Sequence, residues 1–118
     1  MNRGTVPINK DFELEYRYYE KDPSFKYFNR KFEIYLIEKK TSGNAYRLHM
    51  DNCDTTPSRW SPHVHKPPEV NKKLYFAVST LNWGDVKNNL FECIVAEIGQ
   101  ENKKDVKKAI SQLVTPKI

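Results

Sequence analysis

The spacing of apolar residues changes once along this chain, near residue 80, from a period of two to a period of four. Before that point, apolar and polar side chains alternate, which is typical of half-buried β-strands. After it, Val86, Leu90, Ile94 and Ile98 recur every four residues, which is typical of an amphipathic α-helix. Strands followed by helices predict an α+β fold, with helices packed on one face of an antiparallel sheet.

Two segments show the alternating pattern most clearly. Residues 11–20 contain FELEYRYY, and residues 30–40 read RKFEIYLIEKK. The TSGN sequence at residues 41–44 follows the second segment, and its Gly and Asn tolerate the positive φ angles of a tight turn. Residues 30–51 are therefore predicted to form a β-hairpin.

The remaining segments complete the expected architecture of a single domain, which 118 residues can form around one core. Residues 1–10 are expected as an extended lead-in and residues 62–66 as a short strand. The short apolar run at residues 74–78 predicts another strand or a segment packed against the sheet edge. We expect a meander of about four to five strands, with a mainly β region over residues 11–80 and a mainly α region over residues 81–118.

Two helices are predicted in the C-terminal region. The first ends at Gly99, a residue suited to the left-handed position after a helix. The second has Asn102 as a plausible N-cap. Its apolar stripe consists of Val106, Ala109, Ile110 and Leu113.

Charge and composition narrow the class of partner. The net charge of +5 and the isoelectric point near 9.2 favour an anionic partner such as RNA. Two cysteines make neither a disulfide framework nor a four-cysteine zinc site. No segment is typical of a signal peptide or a membrane span, so we expect a cytoplasmic protein with no membrane partner.

All three histidines fall within residues 44–68. Arg47, His49 and Asp51 alternate with Tyr46, Leu48 and Met50, so a strand would place the polar three on one face and the apolar three on the other. His63 and His65 repeat the same spacing after a loop. Pairing of the two segments would bring imidazoles, a guanidinium and a carboxylate to one patch.

Metal-independent RNA cleavage is the first chemistry that such a patch predicts. One imidazole would remove the 2′-hydroxyl proton and a second would protonate the leaving oxygen, because histidine titrates near neutral pH. His63 and His65 are candidates for this pair. His49 lies opposite in the predicted arrangement, and Asp51 would orient or assist.

Four further residues form the predicted substrate-binding set. Arg47 and Lys66 would hold a phosphate. Trp60 flanks the cluster and could stack on a base. Asn52, directly after the strand, completes the set.

Two alternatives use the same residues differently. His63 and His65 with His49 or Asp51 offer ligands of the right hardness for a divalent metal ion, as in a metal-dependent hydrolase. A histidine-rich surface without chemistry fits a non-catalytic protein-binding or nucleic-acid-binding module, such as an inhibitor or adaptor. Of the three, the metal-independent ribonuclease is the favoured prediction, and no cofactor is expected.

The motifs of this region resemble the TumE-like toxin family of bacterial and archaeal toxin–antitoxin systems. Met50-Asp51-Asn52 corresponds to the strand end followed by Asp-Asn, and Pro62-His63-Val64-His65-Lys66 to the Pro-His-x-His segment. Pro57 and Trp60 lie in the loop between them, and residues 90–98 match the family's Leu-x-x-Ile helix. This chain has Cys53-Asp54-Thr55-Thr56 where the family often carries a histidine pair.

The resemblance covers roughly residues 30–98 and implies a β-meander followed by a C-terminal helix. It also implies a growth-inhibiting toxin that acts on RNA. Such a toxin is held silent by an antitoxin encoded beside it, often a helix-turn-helix protein. The departures from the family motif shift the implied roles to His63, His65 and Asp51.

Overall fold

The computed structural model describes residues 2–23, 30–52, 63–66, 69–75 and 83–114. Within them, one antiparallel sheet has its strands in chain order. The strands are β1 (Asn2–Pro7), β2 (Phe12–Lys21), β3 (Arg30–Glu38), β4 (Ala45–Asp51), β5 (His63–Lys66) and β6 (Glu69–Tyr75). They are followed by α1 (Trp83–Ile98), a 3-10 turn (Gln100–Asn102) and α2 (Lys103–Ser111).

The predicted α+β class is confirmed, with an antiparallel sheet and two helices after the strands. The sheet is larger than expected because the lead-in is itself a strand. Asn2 lies opposite Tyr18, and the pairing continues to Pro7 opposite Glu13. Proline is tolerated there because it ends an edge strand and need not donate to a ladder.

The predicted hairpin is present as β3 and β4, with Ile34 opposite Met50 and Leu36 opposite Leu48. The short strand predicted over residues 62–66 is present as β5. Strand β6 begins earlier than predicted, and residues 76–78 lie outside the described part of the chain.

The core lies between one face of the sheet and the two helices. The sheet contributes alternating residues that are almost wholly buried: Leu14, Tyr18, Phe32, Ile34, Leu36, Leu48, Met50 and Val64. The helices contribute Val86, Leu90 and Ile94 from α1 and Val106, Ala109 and Ile110 from α2. Burial of a large apolar side chain stabilises the fold by about 1.5–3 kcal/mol, so this cluster fixes where the helices lie.

Polar contacts fix the connection between the helices. Gly99 ends α1 with a φ of 102°, a conformation that glycine adopts readily. Asn102 stands at the predicted N-cap position of α2, but its side chain does not cap the helix. It donates a hydrogen bond to the carbonyl oxygen of Ile98 and accepts one from the side chain of Asn9. These bonds tie the start of α2 to the end of α1 and to the turn after β1.

Among the described residues, no helix has the length and apolar character needed to cross a membrane.

Candidate functional site

The sheet face opposite the helices carries two rows of polar and aromatic side chains. Directly opposite residues on neighbouring strands point to the same face, so cross-strand register aligns each row. The first row is Tyr35, His49 and His65, and the second is Glu33, Asp51 and His63. The site therefore forms on three adjacent strands, β3, β4 and β5.

Asp51 lies at the centre of the three histidines. Its Oδ2 atom is 3.2 Å from Nε2 of His49 and 3.6 Å from Nε2 of His65. Its Oδ1 atom is 2.9 Å from Nε2 of His63. The structure therefore brings together the four residues that the sequence named as catalytic candidates.

The three histidines differ in how far their side chains are exposed to solvent. His63 has no solvent exposure, and it pairs with Asp51 of β4 on one side and Tyr75 of β6 on the other. The side chains of His49 and His65 are 27% and 13% exposed. The predicted acid–base pair was His63 and His65, whereas the two histidines with partly exposed side chains are His49 and His65.

His49 is held between an aromatic ring and two carboxylates. Its ring stacks on Tyr35 with centroids 4.3 Å apart and planes within 3°. Burial lowers the pKa of His49, and the negative charges of Asp51 and Glu33 only partly oppose this. Within the described chain, its Nε2 atom is enclosed and makes no well-aligned hydrogen bond. The neutral imidazole is therefore favoured at this position.

Glu33 belongs to the site although it was absent from the predicted set. Its Oε2 atom lies 3.7 Å from Nε2 of His49. The hydroxyl of Tyr19 donates to Oε1 at 2.6 Å, the hydroxyl of Tyr35 donates to Oε2, and Nζ of Lys31 is 3.3 Å from Oε1. Burial opposes ionisation, but these donors outweigh it and lower the pKa of Glu33. The alternation of apolar and polar residues over 30–40 puts Glu33 on the face opposite Phe32 and Ile34. The register of the hairpin then sets Glu33 opposite Asp51.

Arg47 does not lie with the histidines, so the predicted common face of Arg47, His49 and Asp51 is wrong for Arg47. Its guanidinium lies 3.1 Å from Glu97 on α1 and 3.2 Å from Glu38. The register of β4 shifts here: Leu48 and Tyr46 pair with consecutive residues of β3, so Arg47 is an extra residue. Such a β-bulge interrupts the alternation of faces and directs Arg47 toward the helix side.

The same bulge places Tyr46 on the outer face instead of the predicted apolar face. Tyr46 is 51% exposed, and its ring centroid lies 4.8 Å from that of Tyr35. Because Tyr35 stacks on His49, and His49 lies 5.4 Å from His65, four rings form one aromatic row. The guanidinium of Arg17 lies 5.1 Å from the Tyr35 ring centroid. Tyr46 is the accessible end of this row.

Asn52, a predicted substrate-binding residue, is engaged with the backbone of β3. It is wholly buried, its Oδ1 accepts a hydrogen bond from the backbone N–H of Phe32, and its Nδ2 donates to the carbonyl oxygen of Arg30. The amide thus continues the β3–β4 pairing after β4 ends. For Lys66 the structure describes only the backbone, which is part of β5. Trp60 lies outside the described residues.

The site contains two imidazoles with partly exposed side chains on either side of a buried carboxylate. Such a set can move protons to and from a substrate, or it can coordinate a divalent cation. Comparison of the chain with protein-family models, curated proteins and solved structures finds no significant match. The function must therefore be inferred from the side chains that the fold assembles here.

Proposed function

We propose that this protein is an RNA-cleaving toxin of the TumE-like type whose reaction centre consists of His49, Asp51 and His65. The observation that supports this most directly is the pair of partly exposed imidazoles that flank one carboxylate oxygen, at 3.2 and 3.6 Å. Two imidazoles at one site provide the base and the acid that cleavage beside a 2′-hydroxyl requires. The motif resemblance around Asp51 and His65 points to the same function.

The proposed reaction is an internal transesterification of RNA. One imidazole takes the proton of the 2′-hydroxyl as its oxygen attacks phosphorus, and the second gives a proton to the 5′-oxygen as the P–O bond breaks. The products are a 2′,3′-cyclic phosphate and a 5′-hydroxyl. His49 and His65 share these roles, and Asp51 orients their rings. A well-placed acid or base contributes about 10²–10⁴-fold to the rate.

Substrate binding is proposed for the outer face around the aromatic row. Tyr46 offers an exposed ring on which a base can stack. Arg17 and Lys31 lie on the same face as Glu33 and take the phosphate-binding role first predicted for Arg47. Their side chains are partly exposed while in contact with Glu15 and Glu33. The net charge of +5 favours the approach of RNA to this protein.

The toxin assignment also implies a partner. A cognate antitoxin, often a helix-turn-helix protein, would be encoded in the adjacent reading frame, and both would act in the cytoplasm. Expression of this protein alone should arrest growth, and co-expression of the adjacent product should restore it. Normal growth on expression of the folded protein alone would contradict the toxin assignment.

The enzymatic part is tested with the double variant His49→Ala/His65→Ala. With mixed RNA and a chelator present, the wild-type protein should generate 5′-hydroxyl ends, and the double variant should be slower by at least about 10³-fold. Lys104→Ala, an exposed change on α2, is the matched control and should cleave normally. Circular dichroism establishes that each variant is folded. Equal cleavage by the folded double variant, or no cleavage by the wild type, would reject the nuclease.

A further inference from the structure

We propose that His49, Asp51 and His65 form a binding site for a divalent transition-metal ion of the zinc class. Two imidazole nitrogens and one carboxylate oxygen are a donor set that zinc accepts in catalytic sites, where a fourth position stays open. One ligand atom from each residue lies within 4.8 Å of the others. This inference does not depend on RNA being the substrate.

The separations between ligand atoms fit one central ion. In a tetrahedral site with bonds of about 2.0–2.2 Å, neighbouring ligand atoms lie about 3.3–3.6 Å apart. Oδ2 of Asp51 lies 3.2 Å from Nε2 of His49 and 3.6 Å from Nε2 of His65. The widest separation in the trio is at most 4.8 Å. Closing it to the tetrahedral separation requires at most about 1.2 Å of movement, which a small change in the side-chain torsions of His65 would supply.

The orientation of His49 also points to a shared centre. In the described chain its Nε2 is enclosed and makes no well-aligned hydrogen bond, although Oδ2 of Asp51 is only 3.2 Å away. Metal ligands direct their lone pairs at the ion and not at each other, so short separations with poor hydrogen-bond alignment are expected between them.

Neighbouring side chains hold the three ligands in place. Nε2 of His63 lies 2.9 Å from Oδ1 of Asp51, which leaves Oδ2 directed toward His49 and His65. The stacked ring of Tyr35 fixes the plane of His49. Such outer partners set ligand orientation in metal sites.

Glu33 adds a second carboxylate 3.7 Å from Nε2 of His49. Its oxygens already accept hydrogen bonds from Tyr19 and Tyr35. We therefore assign it to the surroundings of the ion, where its negative charge offsets that of the cation. The fourth coordination position remains for water or a substrate oxygen.

Metal binding and the metal-independent reaction exclude each other in one molecule. A bound ion occupies the Nε2 atoms that proton transfer needs. Zinc ions added to the chelator-treated protein should therefore inhibit the cleavage described above. The binding measurement itself needs no activity, so the two proposals can fail separately.

The test uses the full chain after removal of metal with a chelator, titrated with Zn²⁺ by calorimetry and with Co²⁺ by visible absorption. We expect one ion per chain and a Co²⁺ spectrum of low coordination number. Asp51→Asn and His65→Ala should each weaken binding by more than about 100-fold, since loss of an outer partner alone costs about 10–100-fold. Asp105→Asn, an exposed change on α2, is the matched carboxylate control and should bind normally. If Asp51→Asn does not fold, His49→Ala at the more exposed ligand replaces it.

Failure of the folded wild-type protein to bind either ion, or equal affinity in the folded ligand variants, would overturn the metal site. Binding together with zinc inhibition of cleavage supports both proposals. Binding together with cleavage that requires zinc supports the metal site and overturns the metal-independent reaction.

Discussion

The imidazole of His63 contacts Asp51 across the β4–β5 pairing, with Nε2 2.9 Å from Oδ1 and no solvent exposure of His63. Because its side chain has no solvent exposure, we expect His63 not to contact a substrate. It acts through Asp51, by holding the carboxylate so that Oδ2 faces the two accessible histidines. His63 is therefore a positioning residue.

His63→Ala should lower both stability and metal affinity. Loss of a buried ring that contacts a carboxylate should reduce the free energy of unfolding by about 2–4 kcal/mol, which urea denaturation measures. Zinc affinity of the folded variant should fall by about 10–100-fold. His63→Gln retains an amide donor and should recover part of that affinity. Unchanged zinc affinity in folded His63→Ala would show that the ring only fills space.

Asn52→Ala should destabilise the fold without changing the chemistry. The change leaves the N–H of Phe32 and the carbonyl oxygen of Arg30 without the Asn52 amide, and it should reduce the free energy of unfolding by about 2–4 kcal/mol. Asn44→Ala, in the exposed turn before β4, is the matched control and should change it by less than about 0.5 kcal/mol. Cleavage per folded molecule should be equal in all three proteins. A selective loss of RNA affinity in Asn52→Ala would support the predicted role of Asn52 in substrate binding.

Arg17→Ala and Arg47→Ala should differ in their effect on RNA binding. Arg17 lies on the proposed RNA face, so its loss should weaken binding and reduce the slope of log affinity against log salt by about one. Arg47 is engaged with Glu38 and Glu97, and its removal should cost at most about 1 kcal/mol of stability because the pair is partly exposed. Filter binding over a range of salt concentrations measures both variants. A larger loss of RNA affinity in Arg47→Ala than in Arg17→Ala would contradict the proposal that RNA binds the face that carries Arg17.

Tyr46→Ala should weaken RNA binding with little effect on stability. A stacked base contributes about 1–3 kcal/mol, so affinity should fall by about 5–150-fold. Tyr46→Phe keeps the ring and should bind nearly as well as the wild type. Fluorescence anisotropy with a short single-stranded RNA compares the three proteins. Equal affinity in Tyr46→Ala and Tyr46→Phe would exclude base stacking at this ring.

The architecture was largely predictable because the period of apolar residues records which face of an element is buried. Alternation in residues 30–40 and the four-residue repeat from Val86 predicted the β3–β4 hairpin and α1. Residues 2–7 gave no such signal, since Gly4 and Pro7 are poor strand residues. They form a strand only because β2 offers an unpaired edge.

The candidate site was predictable in part for the same reason. The alternation of His49 and Asp51 with Leu48 and Met50 indicated that the imidazole and carboxylate share a face. It also placed Glu33 on the outer face of β3. Predicting the contact between Glu33 and His49 also requires the register of the hairpin, which is set by the length of the turn and by bulges.

By itself, the sequence determined the succession of strands and helices and the alternation that places His49 and Asp51 on one face, because these follow from local side-chain periods. Tertiary structure decided that His63 is buried, that Arg47 turns to α1 and that Asn52 supports the backbone. These outcomes depend on strand neighbours and on one bulge residue. A local pattern does not record which residues meet across neighbouring strands or where strand pairing slips, and those two facts set the surroundings of each histidine.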